Sequence, residues 1–453
     1  MHKIRKISQF HHTFHFQSPE ENFNSIYAQF LESKLGNIYQ AIAWQDLVKS
    51  FHIKESEKGP ACIFTPQGKL GLMFLKHYAC CSDEKLIEQL NANIHYQIFC
   101  DILLSPGESI SNFKIVSQIR CELAENLNID KSQKALSSQW IAYMQELNQA
   151  TTDATCYESE VRYPTNQKLL WECIEWNYGQ MKVLCKHLKI KLPRTKYLKW
   201  KERYFIYSRK RRKPSKDKRV LTRALLNLLE KLNDELDQIE QRYSFDISEK
   251  YAKRRVVIKK VYEQQMLLFT TGEKPKGRIV SIAKSYLRPI VRGKEIKQVE
   301  FGAKVNKIQI DGISFIEHLS FDAFHEGTRF KSSVRLSQEL TRKKIVIMGA
   351  DAIYATNANR RYATKNNIRT DFCRKGRAGK HEQQRQQLAS MITKERASRL
   401  EGSFGKEKEH YHLKKIKART QKTEILWIFF GIHTANALEI GRRMTLEKLE
   451  QAA

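Results

Sequence analysis

The sequence contains no apolar run near the roughly 18 residues that a bilayer-spanning helix requires. Its most apolar stretch, Ile425 to Ile432, is far shorter and reads as buried helix, so no membrane span is expected. The start, Met1-His-Lys-Ile-Arg-Lys-Ile, is basic but lacks the apolar core and small-residue cleavage site of a secretory signal. The cytoplasm is the expected compartment. None of the nine cysteines forms a Cys-x-x-Cys pair, and Cys80 and Cys81 are merely adjacent. A reduced environment, no structural zinc and a packing role for the cysteines follow. The cluster His11-His12-Thr13-Phe14-His15 has no matched ligands elsewhere and reads as a flexible end. Acid is also scarce: 80 lysines and arginines face 49 aspartates and glutamates, giving +31 spread over the whole length. Such an excess calls for a polyanionic partner. Nucleic acid leads over a membrane surface, because phosphate neutralisation releases counterions and gives affinity without any sequence readout.

What is present divides into segments of different character. The 453 residues allow two or three domains with a sizeable core. Residues 1–135 carry short amphipathic stretches, such as Asp83-Glu84 leading into Leu86, Ile87 and Leu90. After the break at Ser105-Pro106-Gly107, a further helix bears Phe113, Val116, Ile119 and Leu123. A helical N-terminal domain with a DNA-binding role is expected. Residues 165–275 read as a helical insertion, with Leu221, Leu225, Leu228, Leu232, Leu236 and Ile239 spaced by threes and fours in a hairpin. Between Arg194 and Arg223, fourteen lysines and arginines fall within thirty residues, interleaved with Tyr197, Trp200, Tyr204, Phe205 and Tyr207. Phosphate contacts from Arg209, Lys210, Arg211, Arg212 and Lys213, with base stacking on Trp200, make this segment a candidate DNA contact.

Strand signals begin after residue 275. Val299, Phe301, Ala303 and Val305 alternate, Ile308 and Ile310 follow, and an Asp311-Gly312 turn leads into Ile313 to Ile316, which predicts a β-hairpin. An amphipathic stretch, Phe330 to Leu340, precedes the apolar run Ile345 to Ala350, a strand buried on both faces. A long polar helix, Gln383 to His412, is interrupted at Gly402 and Gly405. With an earlier strand at 147–155 and a short one near Ile368, the order predicts an α/β layer architecture over residues 136–440, with 441–453 as a tail. Two magnesium ions about 4 Å apart, held by hard oxygen ligands, suit phosphodiester chemistry. Asp351 falls at the carboxyl end of the buried strand, Asp153 near the end of the first, and Glu401 on the late helix. Asp311 and Asp322 compete for the place of Asp153, although the hairpin turn already explains Asp311.

Four blocks resemble a known family. Thr152-Asp153-Ala154-Thr155 with Val161 to Leu170 is similar to the first-aspartate block of DDE transposases from bacterial insertion sequences. Arg278 to Ile282, Arg288 to Lys294 and Val299 to Lys304 are similar to the middle of that family. Gly349 to Tyr354 with Asn359 to Tyr362 resembles its second-aspartate block, and Leu400 to Lys408 its glutamate block. The resemblance runs from about residue 60 to 440. Cys156, Tyr157 and Glu158 depart from the pattern by standing where apolar residues or proline are expected.

The resemblance implies a ribonuclease H-like mixed sheet flanked by helices, with the helical insertion placed after the first core strand. It implies Asp153, Asp351 and Glu401 as catalytic ligands of two magnesium ions, with manganese able to substitute. Lys408, seven residues after Glu401, together with Arg396, Arg399, Arg360 and Arg361, would contact DNA. The implied partners are double-stranded terminal repeats and target DNA, bound by a homodimer or larger oligomer at the bacterial nucleoid. The implied reaction is hydrolysis at the element's end, then attack of the freed 3′-hydroxyl on target DNA. A structure-specific nuclease lacking strand transfer, and a transposase-derived DNA-binding regulator, are the alternatives.

Overall fold

The computed structural model describes residues 19–54, 62–105, 107–243, 245–291 and 299–452. The histidine cluster at 11–15, Pro106 and the Arg292-Gly293-Lys294 segment lie outside them. Eight helices precede the sheet among these residues: α1 (Pro19–Glu32), α2 (Lys34–Gln40), α3 (Trp44–Ser50), α4 (Pro66–Ala79), α5 (Asp83–Ala92), α6 (Ile94–Phe99), α7 (Lys114–Asn126) and α8 (Ile129–Trp140). Helix α5 starts as its sequence dictates: the Ser82 side chain accepts from the Lys85 amide, and Leu86, Ile87 and Leu90 turn inward. In α7, Val116, Ile119 and Leu123 are buried, while Phe113 before it is exposed.

The sheet is assembled from distant pieces. Strand β1 (Gln149–Glu158) leads into four helices, α9 (Asn166–His187), α10 (Tyr197–Arg209), α11 (Ser215–Arg242) and α12 (Glu249–Thr271), where the spacing had predicted a simple hairpin. Next come β2 (Pro289–Val291), β3 (Val299–Ile310), β4 (Ile313–Ser320), α13 (Phe330–Thr341) and β5 (Ile347–Ala350). Strand β1 lies between antiparallel β3 and parallel β5; β3 also pairs antiparallel with β4 and, at its start, with β2. The mixed sheet carries helices on its faces, and the chain is α/β. Asp311 (φ 46°) and Gly312 (φ 79°) supply the two left-handed residues of the tight β3–β4 turn. The expected strand near Ile368 is reduced to one bridge between Ile347 and Arg369.

Helix α14 (Asn357–Lys365) follows β5. Helix α15 (Glu382–Glu395) then runs through a π-helical turn, Arg396–Glu401, into α16 (Gly402–His410), and α17 (Gln421–Ala452) closes the chain. The expected breaks at Gly402 and Gly405 do not occur, since both adopt helical backbone; the irregularity falls one turn earlier. Residues 441–452, read as a tail, continue α17. That helix buries the apolar run Ile425 to Ile432 between the N-terminal helices and the sheet, with Phe429 against Phe51 and Phe430 against Phe74. The N-terminal helices therefore share one core with the sheet. The insertion has its own core, built on Leu225, Leu229, Leu232 and Leu236 of α11 against Leu170, Ile174 and Met181 of α9 and Ile258 and Val261 of α12. No helix among the described residues is long and apolar enough to cross a membrane. Cys100, Cys156, Cys173 and Cys185 are buried as packing, whereas Cys62, Cys80, Cys121 and Cys373 are exposed, so packing does not account for every cysteine.

Candidate active site

Alternation along β1 sorts its side chains onto two faces. Thr152 faces α13, where its hydroxyl meets Ser333 Oγ at 3.1 Å. Asp153, Thr155 and Tyr157 face α16 instead. Tyr157 runs on within the strand and buries its ring where an apolar residue or proline had been expected, donating its hydroxyl to Glu407. The parallel register pairs Thr151 with Gly349 and Thr152 with Ala350, so Asp351, just past the carboxyl end of β5, lies beside Asp153; the latter falls midway along β1 and not near its end as expected, because the strand runs on to Glu158. Sites in open α/β sheets form at the carboxyl ends of strands, here that of β5. Gly349 allows the covering helix to come close: a Cβ there would stand 2.6 Å from Ile392 Cγ2 and 3.1 Å from Thr151 Cγ2. Asp351 caps the following 3-10 turn by accepting from the Ala352 amide at 2.6 Å.

Glu401 approaches from above. The π-helical turn makes residues five apart neighbours, as i→i+5 bonding requires, and it brings Arg396 next to Glu401. Arg396 Nη1 lies 3.1 Å from Glu401 Oε1 and 3.8 Å from Asp153 Oδ2, while its Nε lies 3.8 Å from Asp371 Oδ2. One guanidinium thus gathers three carboxylates, with Asp351 beside the first. Its Nε is buried and makes no hydrogen bond. Burial, aided by the charges of Glu326 and Asp351, pushes the Asp153 carboxyl up to about 6 against the pull of the Ala154 amide and Arg396. Burial likewise raises Asp371, whose Oδ1 accepts from the Ala350 amide at 3.0 Å.

A buried charge pair fixes α16 to the sheet. Lys307 stands opposite Asp153 on β3 and has no exposure to solvent. Its ammonium donates to Ser403 Oγ at 2.9 Å and to Glu407, and lies 4.7 Å from the centre of the Phe404 ring. Burial lowers the Lys307 pKa and Glu407 opposes that shift. Lys408, one residue on, donates to Thr155 Oγ1 at 3.1 Å, two residues beyond Asp153 on the same face. The seven-residue spacing from Glu401 therefore keeps Lys408 on the carboxylate face.

Other expected site residues go elsewhere. Arg396 is drawn into the carboxylates with its side chain 13 % exposed, and in this arrangement it is not presented to a phosphate. Arg399 turns towards the hairpin, pairing with Asp311 at 3.3 Å and Glu395 at 3.1 Å. Asp311 is also held by Arg443 at 2.7 Å, and Asp322 is 77 % exposed, so neither joins the pocket. Arg360 bonds the carbonyls of Ala355 and Cys373, and Arg361 is exposed. Among the basic residues after α10, Lys210 pairs with Asp217 and Lys213 lies over Tyr207. The interleaved aromatics are mostly consumed by packing: Trp171 stacks on Tyr197 and Tyr204, Tyr178 stacks on Tyr197, and Trp200 is half-buried under Arg203. Their spacing reflects the core of the insertion, and Phe205 alone among them is exposed. Asp371, Glu326, Lys307 and Glu407 escaped the sequence reading. A carboxylate just past the strand signal at Ile368, and a lysine inside an alternating apolar strand, were the available signs.

The donor set is all hard oxygen, the kind that magnesium takes. As the side chains stand, no three acidic, histidine or cysteine groups among the described residues converge tightly enough to hold an ion. Arg396 lies among them, hydrogen-bonded to Glu401 and 3.8 Å from Asp153 and Asp371, with one nitrogen unsatisfied. The carboxylates match a divalent cation in kind, and the Arg396 guanidinium occupies the space between Asp153, Asp371 and Glu401. Comparison of the chain with models of protein families, with curated proteins and with solved structures found no match to any of them.

Proposed function

We propose that this chain is a DNA transposase of the insertion-sequence type, cleaving element ends and joining them to target DNA. The observation that carries the reading is the in-register adjacency of Asp153, on β1, and Asp351, just past the end of parallel β5, with Glu401 tied to Asp153 through one guanidinium. The strand arrangement supports a ribonuclease H-like core: β4, β3 and β1 form an antiparallel unit, β5 joins β1 in parallel, and α13 connects β4 to β5. The net charge of +31 supports DNA as substrate.

In this reading Asp153, Asp351 and Glu401 would hold magnesium, which when bound lowers the pKa of an attacking water and neutralises charge on the leaving oxygen. The chain's own residues supply position and field. The rigid β1–β5 register fixes two carboxylates, and the Lys307–Glu407 pair anchors the helix that carries the third. Lys408, bonded to Thr155 two residues from Asp153 on β1, would neutralise a phosphate of the bound strand. Withdrawal of Arg396 opens the pocket, and its charge then remains at the rim for the same phosphates.

The test incubates full-length protein with a labelled duplex carrying the inverted repeats that flank its gene, target plasmid and magnesium. Cleaved and joined products are expected from the wild type, and neither from Asp153→Asn or Asp351→Asn, which should still bind the duplex. Cleavage by either variant would overturn the assignment. Cleavage without joining by the wild type would favour a nuclease.

A further inference from the structure

A cavity of about 800 Å³ opens between α14 and the first turns of α15, next to the carboxylates. Arg360, Arg369, Arg374, Lys375 and Arg385 line it, and no aspartate or glutamate does. Glu382 pairs with Arg385 at 2.6 Å and Arg374 at 3.1 Å, which leaves Arg360, Arg369 and Lys375 without an ion pair among the described residues. Arg369 extends from the edge of β5 with its backbone bonded to Val346 and Met348, and its exposed side chain has no ion pair among the described residues. One carboxylate against five cations leaves a positive excess, and a further anion in the cavity would relieve their mutual repulsion.

The cavity and the carboxylates share a wall. Thr370 and Phe372 line the cavity, while Asp371 between them turns the other way to Arg396 and the Ala350 amide. Helix α15 also joins them: Arg385 and Arg396 are eleven residues apart, about 16 Å of helix. A polyanion seated among these arginines would therefore lead directly to Asp153 and Asp351.

We infer that this pocket grips the sugar-phosphate backbone of DNA beside the nucleotide presented to the carboxylates, an inference that rests on the proposed function. Extended phosphates fit the observations better than one free anion, because the five cations are spread over a cavity far larger than a phosphate group. Bidentate donation by the arginine forks suits phosphate oxygens.

The test measures equilibrium binding of a 30-base-pair duplex to the full chain in EDTA over a range of salt concentrations. Three proteins are compared: the wild type, R369Q/R374Q/K375Q, and the charge-matched control R342Q/K343Q/K344Q, whose exposed residues lie in the turn between α13 and β5 and do not line the cavity. The slope of log affinity against log salt should fall by about 2 to 3 in the pocket variant, near 0.9 per phosphate lost. The single variant R369Q should lower it by about 1, and the control should change it far less. Equal losses in pocket and control variants would overturn the pocket while leaving the proposed function intact. Failure of the wild type to bind DNA at all would overturn both.

Discussion

Replacing Asp153 with asparagine should stabilise the metal-free protein at neutral pH. In the folded chain the Asp153 carboxyl is raised from 3.8 to about 6, chiefly by burial. The folded state therefore holds the proton more tightly than the unfolded state. The sign follows from linkage: stability falls as pH rises between about 4 and 6, the penalty is full above 6, and it vanishes below the unfolded value. At roughly 1.4 kcal/mol per pKa unit, the ionised carboxylate costs up to about 3 kcal/mol at pH 7. Asparagine keeps the shape and removes the charge. With an unfolding entropy near 2.1 cal/mol/K per residue, cooperative unfolding of all 453 residues turns this into a rise in Tm of about 3 °C. Calorimetry of EDTA-treated wild type and variant from pH 4 to 8 reads it directly. The variant should melt higher at pH 7, and the two curves should meet near pH 4. A variant that melts lower at pH 7, or a gap independent of pH, would refute the account of a strained carboxylate cluster.

Two further outcomes follow from the same face of the sheet. Lys307→Met leaves the buried Glu407 carboxylate without its cation and should cost about 3 to 5 kcal/mol in denaturant unfolding; adding Glu407→Gln, which keeps an acceptor for Tyr157, should recover most of that loss. A double variant no more stable than the single one would show that the pair is not what holds α16 down. Arg396→Gln removes the guanidinium that shares the pocket with Asp153, Asp371 and Glu401, and should tighten binding of manganese or terbium roughly tenfold in luminescence or calorimetric titration. Unchanged or weaker binding would mean that Arg396 does not compete with the cation.

The legible features were those fixed by local chemistry. The Asp311-Gly312 dipeptide fixes the tight β3–β4 turn because two successive residues must adopt positive φ. The run Ile345 to Ala350 announces a buried strand with Asp351 just beyond it. Helix α11 wears its leucine stripe openly, and the stripe is the core of the insertion. Features created by packing left weaker traces. Of the aromatics among the basic residues, Tyr197 and Tyr204 stack on Trp171 in the core of the insertion, whereas Phe205 is exposed. The π-helical turn has no local cause in Gly402 or Gly405, which lie beyond it in regular helix. The pairing of Lys307 with Glu407, a hundred residues apart, is invisible until β3 and α16 are brought together.

Asp153 shows how tertiary structure changes the weight of a residue. From its neighbours in sequence it is one aspartate among many, and mainly the family resemblance singled it out. In the sheet its position is over-determined: β3 sets its height by pairing it with Lys307, β5 sets its neighbour by aligning Thr152 with Ala350, and the π-helical turn sets its counter-charge through Arg396. All three constraints come from segments beyond residue 300, across the whole helical insertion. Because the insertion closes its own apolar core on α9, α11 and α12, its packing is largely decoupled from the packing that positions the carboxylates. Substitution within the basic segment can therefore leave the geometry of Asp153, Asp351 and Glu401 unchanged.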